Sequence, residues 1–328
     1  MERYLLFDVS PHEQFNKQRR ALVFFLALAQ KTNRTLVVPR ARFGLPTSPK
    51  KAYQPLQNIL NLSHLNQHFH PVQDLDSHLL KHDASVSVLI PQGTSCTNLQ
   101  PRSQVDFNGL KLTAARVQCE KHLEHNVERM RAMLDESIAF SNVLNQHSRA
   151  ASLAIRPNVR FVRDLYDEAA AYVERTFGGE SFLAVHWRRT DFLQVRRTQP
   201  GVLVGVKQLV LHAQRVMDEK GLKFLYLATD SQDGEELRHL YTKIQFKRLD
   251  HKPSPSQSLI NVGKTANLEI IICSMANLFL GTQTSSFTLT ILEERTSVFG
   301  HSPETGIEMG KENVENLLKA QPSPREEL

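Results

Sequence analysis

The sequence predicts an α/β fold, in which apolar strands alternate with helices. Three observations carry that reading. Phe182 to Val185, Phe224 to Ala228 and Asn277 to Leu280 are short apolar runs of buried-strand type. Each run releases polar or charged residues at its carboxyl end. Helical spacing lies between the runs, so the strands should be parallel and their carboxyl ends should share one edge, where open α/β sheets bind ligands.

In chain order, residues 4–9 read as a strand. A helix follows from about Gln14 to Lys31, with Phe15, Leu22, Leu26 and Ala29 on one face. Thr35 to Val38 is a second strand, stopped by Pro39. The stretch Arg40 to Pro55 reads as loop. Ser85 to Ile90 is another strand, ended by Pro91, and Ala115 to Leu134 reads as a long polar helix. Residues Asn145 to Pro157 look like a connection between domains. The length of 328 residues suits two domains of about 150 each. The expected division is an amino-terminal domain over 1–150, a carboxyl-terminal domain over 151–305 and a polar tail over 306–328. Val162, Leu165, Tyr166, Ala169, Val173 and Phe177 keep helical spacing, and Gly178-Gly179 should end that helix. Strand and helix then alternate to about residue 300, and the tail carries one short helix, Glu312 to Lys319.

Hydrophobic content of 41% and charged content of 23% describe an ordinary globular chain. No run approaches the ~18 apolar residues of a membrane span; the longest candidate, Ala21 to Ala29, sits on a helix with a charged face. The net charge of +6 fits an anionic ligand, but there is no Lys/Arg tract with interleaved aromatics to form a nucleic-acid footprint. Cys96, Cys119 and Cys273 have no metal-ligand spacing; a Cys96–Cys119 disulfide and three free buried thiols are both open. Asp74-Leu75-Asp76, the lone Asp-x-Asp, falls in a polar helical segment and reads as solvated rather than metal-binding. Met1-Glu2-Arg3 runs straight into the first strand, so a leader peptide is expected to be missing. The chain closes on Arg325-Glu326-Glu327-Leu328, which resembles the Lys-Asp-Glu-Leu retention signal and points to the endoplasmic reticulum lumen. Asn33-Arg34-Thr35 and Asn61-Leu62-Ser63 are sequons that agree with that compartment.

The strand ends carry the chemistry. His186-Trp187-Arg188-Arg189-Thr190-Asp191-Phe192 follows the first run, and arginine suits phosphate because its planar fork donates two parallel hydrogen bonds. Thr229-Asp230-Ser231 follows the second. Gly281-Thr282-Gln283-Thr284-Ser285-Ser286-Phe287 follows the third and opens a helix over Leu289 to Glu294, which offers free N–H groups and a positive dipole end to an anion. Arg188, Asp230 and Ser285/Ser286 can therefore converge on one diphosphate.

These motifs together resemble the GDP-fucose protein O-fucosyltransferases. The stretch from His186 to Phe192 is similar to their His-Leu-Arg-Arg-x-Asp-Phe motif, with Trp187 in place of leucine. Ala228-Thr229-Asp230-Ser231 resembles their Thr-Asp-Ser loop, and Ser285-Ser286-Phe287-Thr288, with Glu294-Arg295 behind it, their phosphate loop and helix. Tyr4 to Asn16 resembles the first strand and loop of the subtype acting on thrombospondin type 1 repeats; Asn33 to Pro39 is similar to the second strand, and Leu65 to Leu75 to a later segment. The resemblance implies a GT-B fold, two Rossmann-like domains facing a cleft. It implies an inverting, metal-independent enzyme without cofactor that moves fucose from GDP-fucose to Ser/Thr hydroxyls of a small disulfide-rich repeat, acting as a monomer. Glu13, before the first helix, is then the catalytic base, on the amino domain's side of the cleft. Arg188 neutralises the leaving diphosphate, with Ser285 and Ser286 beside it. Asn16 and His186 contact sugar or phosphate, Asp230 the nucleoside, and Phe287 packs near it. Arg189 and Asp191 are expected to pair, and Trp187 to lie in the core. A catalytically silent nucleotide-sugar binder or folding factor, and a fucosyltransferase acting on glycans, are the other readings.

Overall fold

The structure, a computed structural model, describes residues 2–10, 13–44, 50–91, 101–102, 104–119, 123–143, 154–199, 202–249 and 258–309. The chain forms two compact units that meet in sequence between Val162 and Arg163, later than the expected division at 150.

In the amino unit, β1 (Tyr4–Val9) is buried at every position, as a strand covered on both faces must be. It leads into α1 (Phe15–Thr32), whose Phe25 stacks on Phe7 of β1 at 4.5 Å. Asn33 ends that helix in the left-handed region at φ 52°, a conformation asparagine tolerates, and its N–H reaches the carbonyls of Ala29 and Gln30. Next come β2 (Thr35–Val38), β3 (Ala41–Gly44), β4 (Lys51–Gln54), α2 (Leu62–His68), β5 (Val72–Asp74), α3 (Leu75–Lys81) and β6 (Ser85–Pro91). The unit closes with β7 (Gln104–Phe107), β8 (Leu110–Val117), α4 (Val127–Ala132) and β9 (Ser137–Val143). Seven of these strands form one sheet in the order β5-β2-β1-β9-β6-β8-β7, parallel except for the β7–β8 pair. The β1–β9 register shifts between Phe7 and Val9.

Three local expectations are corrected here. Residues 40–55 include the antiparallel hairpin β3–β4, not loop alone. Residues 115–134 are not one long helix: β8 runs to Val117, a 3-10 turn spans Leu123–His125, and α-helix covers Val127–Ala132. Asp74 sits at a strand end, as residue 74 closes β5.

In the carboxyl unit, α5 (Arg163–Phe177) stops at Gly178 and Gly179, both at positive φ (58° and 83°). There follow β10 (Phe182–Trp187), α6 (Phe192–Val195), α7 (Val206–Lys220), β11 (Phe224–Thr229), α8 (Gly234–Lys243), α9 (Leu259–Met275), β12 (Leu278–Gly281), α10 (Ser286–Ser297) and β13 (Gly306–Glu308). The sheet order is β11-β10-β12-β13, parallel throughout. Residues 306–308 thus belong to the sheet, not to a tail beginning at 306. One core cluster joins Leu183, Val185 and Trp187 to Leu209, Val216, Leu227 and Leu280.

Arg295 ties this unit together. It is fully buried and donates to the carbonyls of Cys273, Ala276 and Asn277 at 3.2, 2.6 and 3.2 Å and to Thr305 Oγ1 at 3.0 Å. These acceptors include orphan carbonyls at the end of α9. Cys119 is disulfide-bonded, and Cys273 is buried and free. Among the described residues no helix is long and apolar enough to cross a membrane. Pro11-His12, Cys96, residues 144–153 of the expected connection, the helix Glu312 to Lys319 and Arg325-Glu326-Glu327-Leu328 lie outside the described residues.

Candidate functional site

Because β10, β11 and β12 are parallel neighbours, their carboxyl ends open on one edge of the carboxyl unit. Two threonines set the backbone there. Thr282 Oγ1 donates to the His186 carbonyl at 3.0 Å and accepts the Arg188 N–H at 2.9 Å, which ties β12 to β10. Thr229 Oγ1 donates to the Trp187 carbonyl at 2.6 Å and accepts the Ser231 N–H at 3.1 Å, which ties β11 to β10. Each hydroxyl spends its donor on a main-chain oxygen and its acceptor on a main-chain N–H, so neither is left unsatisfied.

Asp230 is the hub of this edge. It accepts the Arg189 N–H at 2.6 Å and the Thr190 hydroxyl, and its Oδ2 lies 3.1 Å from Arg188 Nη1. Arg188 also binds Asp191 through Nε and Nη2, both at 2.9 Å. One guanidinium therefore sits between two carboxylates, in a position where an incoming phosphate competes for its N–H groups. Arg189 turns the other way. It stacks over the Trp187 ring at 4.7 Å and forks onto Glu236, which also accepts the Ser231 hydroxyl at 3.0 Å. The expected Arg189–Asp191 pair is thus replaced by Arg188–Asp191 and Arg189–Glu236. Trp187 is buried as expected, and its Nε1 donates to the Val204 carbonyl at 2.7 Å.

Ser285 caps α10 without using its own side chain, and Ser286 begins the helix, so the first-turn N–H groups face the same edge. His186 is buried, and its Nδ1 lies 2.7 Å from Thr288 Oγ1. Its ring packs on Phe287 at 4.7 Å. Burial, then the nearby Arg188 charge, pushes the imidazole down to about 3, so it is neutral at ordinary pH.

Glu13 and Asn16 lie in the amino unit. Glu13 is nearly buried, its N–H bonds to the Ser10 carbonyl at 2.8 Å, and its carboxylate pairs with Lys17 at 2.6 Å. Asn16 Oδ1 is buried and has no partner among the described residues. The loop that carries Glu13 hangs on Arg42 of β3. Its guanidinium donates to the carbonyls of Val9 and Ser10 at 3.0 and 2.6 Å and lies 3.5 Å from Asp8. Burial pushes the Asp8 carboxyl up, while Arg42 and the Asn108 N–H pull the other way. In the Asp74-Leu75-Asp76 stretch, Asp74 caps α3 through Ser77 and Asp76 binds Arg40 at 3.0 Å.

The expected residues therefore fall in two sets. His186, Arg188, Asp230, Ser285, Ser286 and Phe287 gather in the carboxyl unit, and Glu13 with Asn16 in the other. Thr229, Glu236, Thr282, Thr288 and Arg42 were missed. A threonine at a strand's carboxyl end was the available signal for Thr229 and Thr282; Glu236 and Arg42 gave none, because the Arg189 that Glu236 clamps and the carbonyls that Arg42 holds are distant in sequence.

A family profile described as GDP-fucose protein O-fucosyltransferase matches residues 4–298. GDP-fucose protein O-fucosyltransferase 2 of Caenorhabditis elegans is 33% identical over 121 residues, 37% of this chain and 27% of that protein. The Homo sapiens protein of the same name is 30% identical over 133 residues, 39% of this chain and 28% of that protein. The matched stretch thus spans little more than a quarter of these curated relatives. The crystal structure of POFUT1 in complex with GDP-fucose superposes with a TM-score of 0.69 at 15% identity, covering 94% of this chain and 98% of that one. Fucosyltransferase NodZ from Bradyrhizobium gives 0.55 at 16% identity, covering 91% and 94%. The shared fold is the two-unit α/β architecture called GT-B.

Proposed function

The chain belongs to the GDP-fucose protein O-fucosyltransferase family, and from that premise we propose that it transfers fucose from GDP-fucose to a serine or threonine hydroxyl of a folded protein, with inversion. The observation that carries the reading is the shared edge at β10, β11 and β12, where Arg188 follows β10 and the amino end of α10 follows β12. The donor diphosphate lies there. Its charge competes with Asp191 and Asp230 for Arg188, and the first-turn N–H groups with Ser285 and Ser286 take other oxygens. As the bond from sugar to phosphate breaks, its electrons pass to the diphosphate, and Arg188 meets that growing charge. Such a donor is worth roughly 3–4 kcal/mol in the transition state. Asp230 reaches the nucleoside with Phe287 beside it, while His186 and Asn16 touch phosphate or sugar. Glu13 takes the proton from the acceptor hydroxyl as the new C–O bond forms, a step worth roughly 10²–10⁴-fold.

Arg188 and the α10 amino end supply the positive charge the diphosphate needs, so binding proceeds without a divalent ion. The proposed acceptor is a small disulfide-rich repeat, with thrombospondin type 1 repeats first, and the proposed compartment is the endoplasmic reticulum lumen. The test is incubation with GDP-fucose and folded thrombospondin type 1 or epidermal-growth-factor-like repeats, read by the mass of the repeat. Fucose on either repeat supports the reading. GDP-fucose bound and hydrolysed, with no repeat modified, moves the acceptor elsewhere; no GDP binding at all removes the proposal.

A further inference from the structure

We infer that Thr288 is a positioning residue that sets His186 as the neutral imidazole carrying its proton on Nε2, aimed as a donor at an oxygen of the diphosphate. The ligand half rests on the fucosyl-transfer reading; the tautomer half does not.

The argument is an accounting of protons. The Thr288 hydroxyl is fully buried and must place its one proton on an acceptor. A helical threonine ordinarily uses the carbonyl four residues back, as Thr290 does with Ser286 at 2.9 Å in the same helix. Thr288 makes no such bond among the described residues; its Oγ1 has Nδ1 of His186, at 2.7 Å. The hydroxyl proton therefore points at Nδ1, which must offer its lone pair. A neutral imidazole that accepts at Nδ1 carries its hydrogen at Nε2. Nε2 has no partner among the described residues, and it is not one of the sealed, unpaired side-chain atoms. Its donor is thus left for a ligand on the edge that Arg188 shares.

The fold makes room for this pair. A β-carbon on Gly281 would stand 2.3 Å from Thr288 Cγ2 and 2.8 Å from Oγ1, closer than any real contact. Glycine at 281 is what lets the hydroxyl reach β10, and Phe287 holds the ring from one face.

Nitrogen NMR of histidine-labelled protein without donor reads the tautomer, with the His186 signal assigned by its loss in His186→Gln. The expected result is a protonated Nε2 and an unprotonated Nδ1; a proton on Nδ1 overturns the inference whatever the protein's activity. Thr288→Val should weaken GDP binding by about tenfold, while Thr288→Ser, which restores the hydroxyl, stays within about twofold of the parent. Wild-type affinity in folded Thr288→Val would remove the positioning role. Should that variant fail to fold, the tautomer measured in the parent and in Thr288→Ser decides alone. A parent protein with the expected tautomer but no GDP binding would refute the ligand half, and with it the fucosyl-transfer reading, while the tautomer stood.

Discussion

Arg188 and Arg189 are the same residue type one position apart, and the strand sends them to opposite tasks. Arg189 lies on the buried Trp187 ring and is clamped by Glu236, so its charge is already matched. Arg188 is shared between Asp191 and Asp230 and remains partly exposed at the strand ends. Arg188→Lys should keep the fold but lower the turnover of transfer by roughly 10²-fold or more, because an ammonium cannot fork onto a diphosphate. Single-turnover transfer on folded protein checks it, and near-normal turnover would remove the diphosphate role. Glu13→Gln should leave GDP affinity nearly unchanged and lower transfer by roughly 10²-fold, as for loss of a general base. Lost donor binding in that variant would make Glu13 structural. Arg188 was legible in the sequence because two arginines at the end of an apolar run have few structural uses. Its division of labour with Arg189 was not, because Glu236 and Asp230 lie some forty residues on in another strand–helix unit.

At the scale of elements, α3 carries a pH-sensitive contact. His78 is fully buried with no partner on either ring nitrogen among the described residues. It stacks on His82 at 4.4 Å and meets the Tyr4 ring at 4.6 Å. Burial first, then His82 and Lys81, pushes it down from 6.5 to about 4. A lowered histidine is neutral in the fold, so its contribution is whole above 6.5 and is lost as pH falls towards 4, where the unfolded chain takes up the proton first. The loss from this residue is roughly 3 kcal/mol. Urea midpoints measured down that pH range should fall less steeply for His78→Phe than for the parent, and equal slopes would refute the account. In the other unit, Arg295→Met should cost roughly 1–3 kcal/mol for each acceptor left unsatisfied, because it strands the carbonyls that close α9; thermal unfolding measures it. The element missed most clearly is the β7–β8 hairpin. Asn108 and Gly109 both have positive φ (54° and 75°), the signature of a tight hairpin turn, and Leu110, Leu112 and Ala114 alternate as a strand does. Reading the polar residues after Ala115 as one helix carried that segment into the wrong period. The β3–β4 hairpin was missed because Arg42, buried at its centre, counts as polar until its partners Asp8, Val9 and Ser10 are known.

For the whole molecule, each unit folds around its own sheet, wholly parallel in the carboxyl unit and parallel but for β7–β8 in the amino unit, and the expected binding residues divide between them. Adding GDP should slow amide exchange most in residues 186–191, 229–236 and 282–290, with smaller changes in residues 4–143, and a chelator should not alter the pattern. Protection confined to the amino unit, or abolished by chelator, would contradict the assignment of the donor edge. The α/β class and the positions of the main strands along the chain were legible because parallel strands are continuous apolar runs, and family resemblance named the architecture. For what stitches the strand ends the sequence offered only a threonine at the carboxyl end of each run, a signal that does not name the main-chain atoms it holds. That stitching matters to anyone wishing to retarget the protein. Thr229 and Thr282 hold main-chain atoms, not side chains, and with Asp230, which holds the Arg189 N–H, they set the contour of the edge beneath the other side chains it displays. A mutational library that varies residues 188–191 and 283–286 while sparing those two threonines would explore new sugar nucleotides on an unchanged frame.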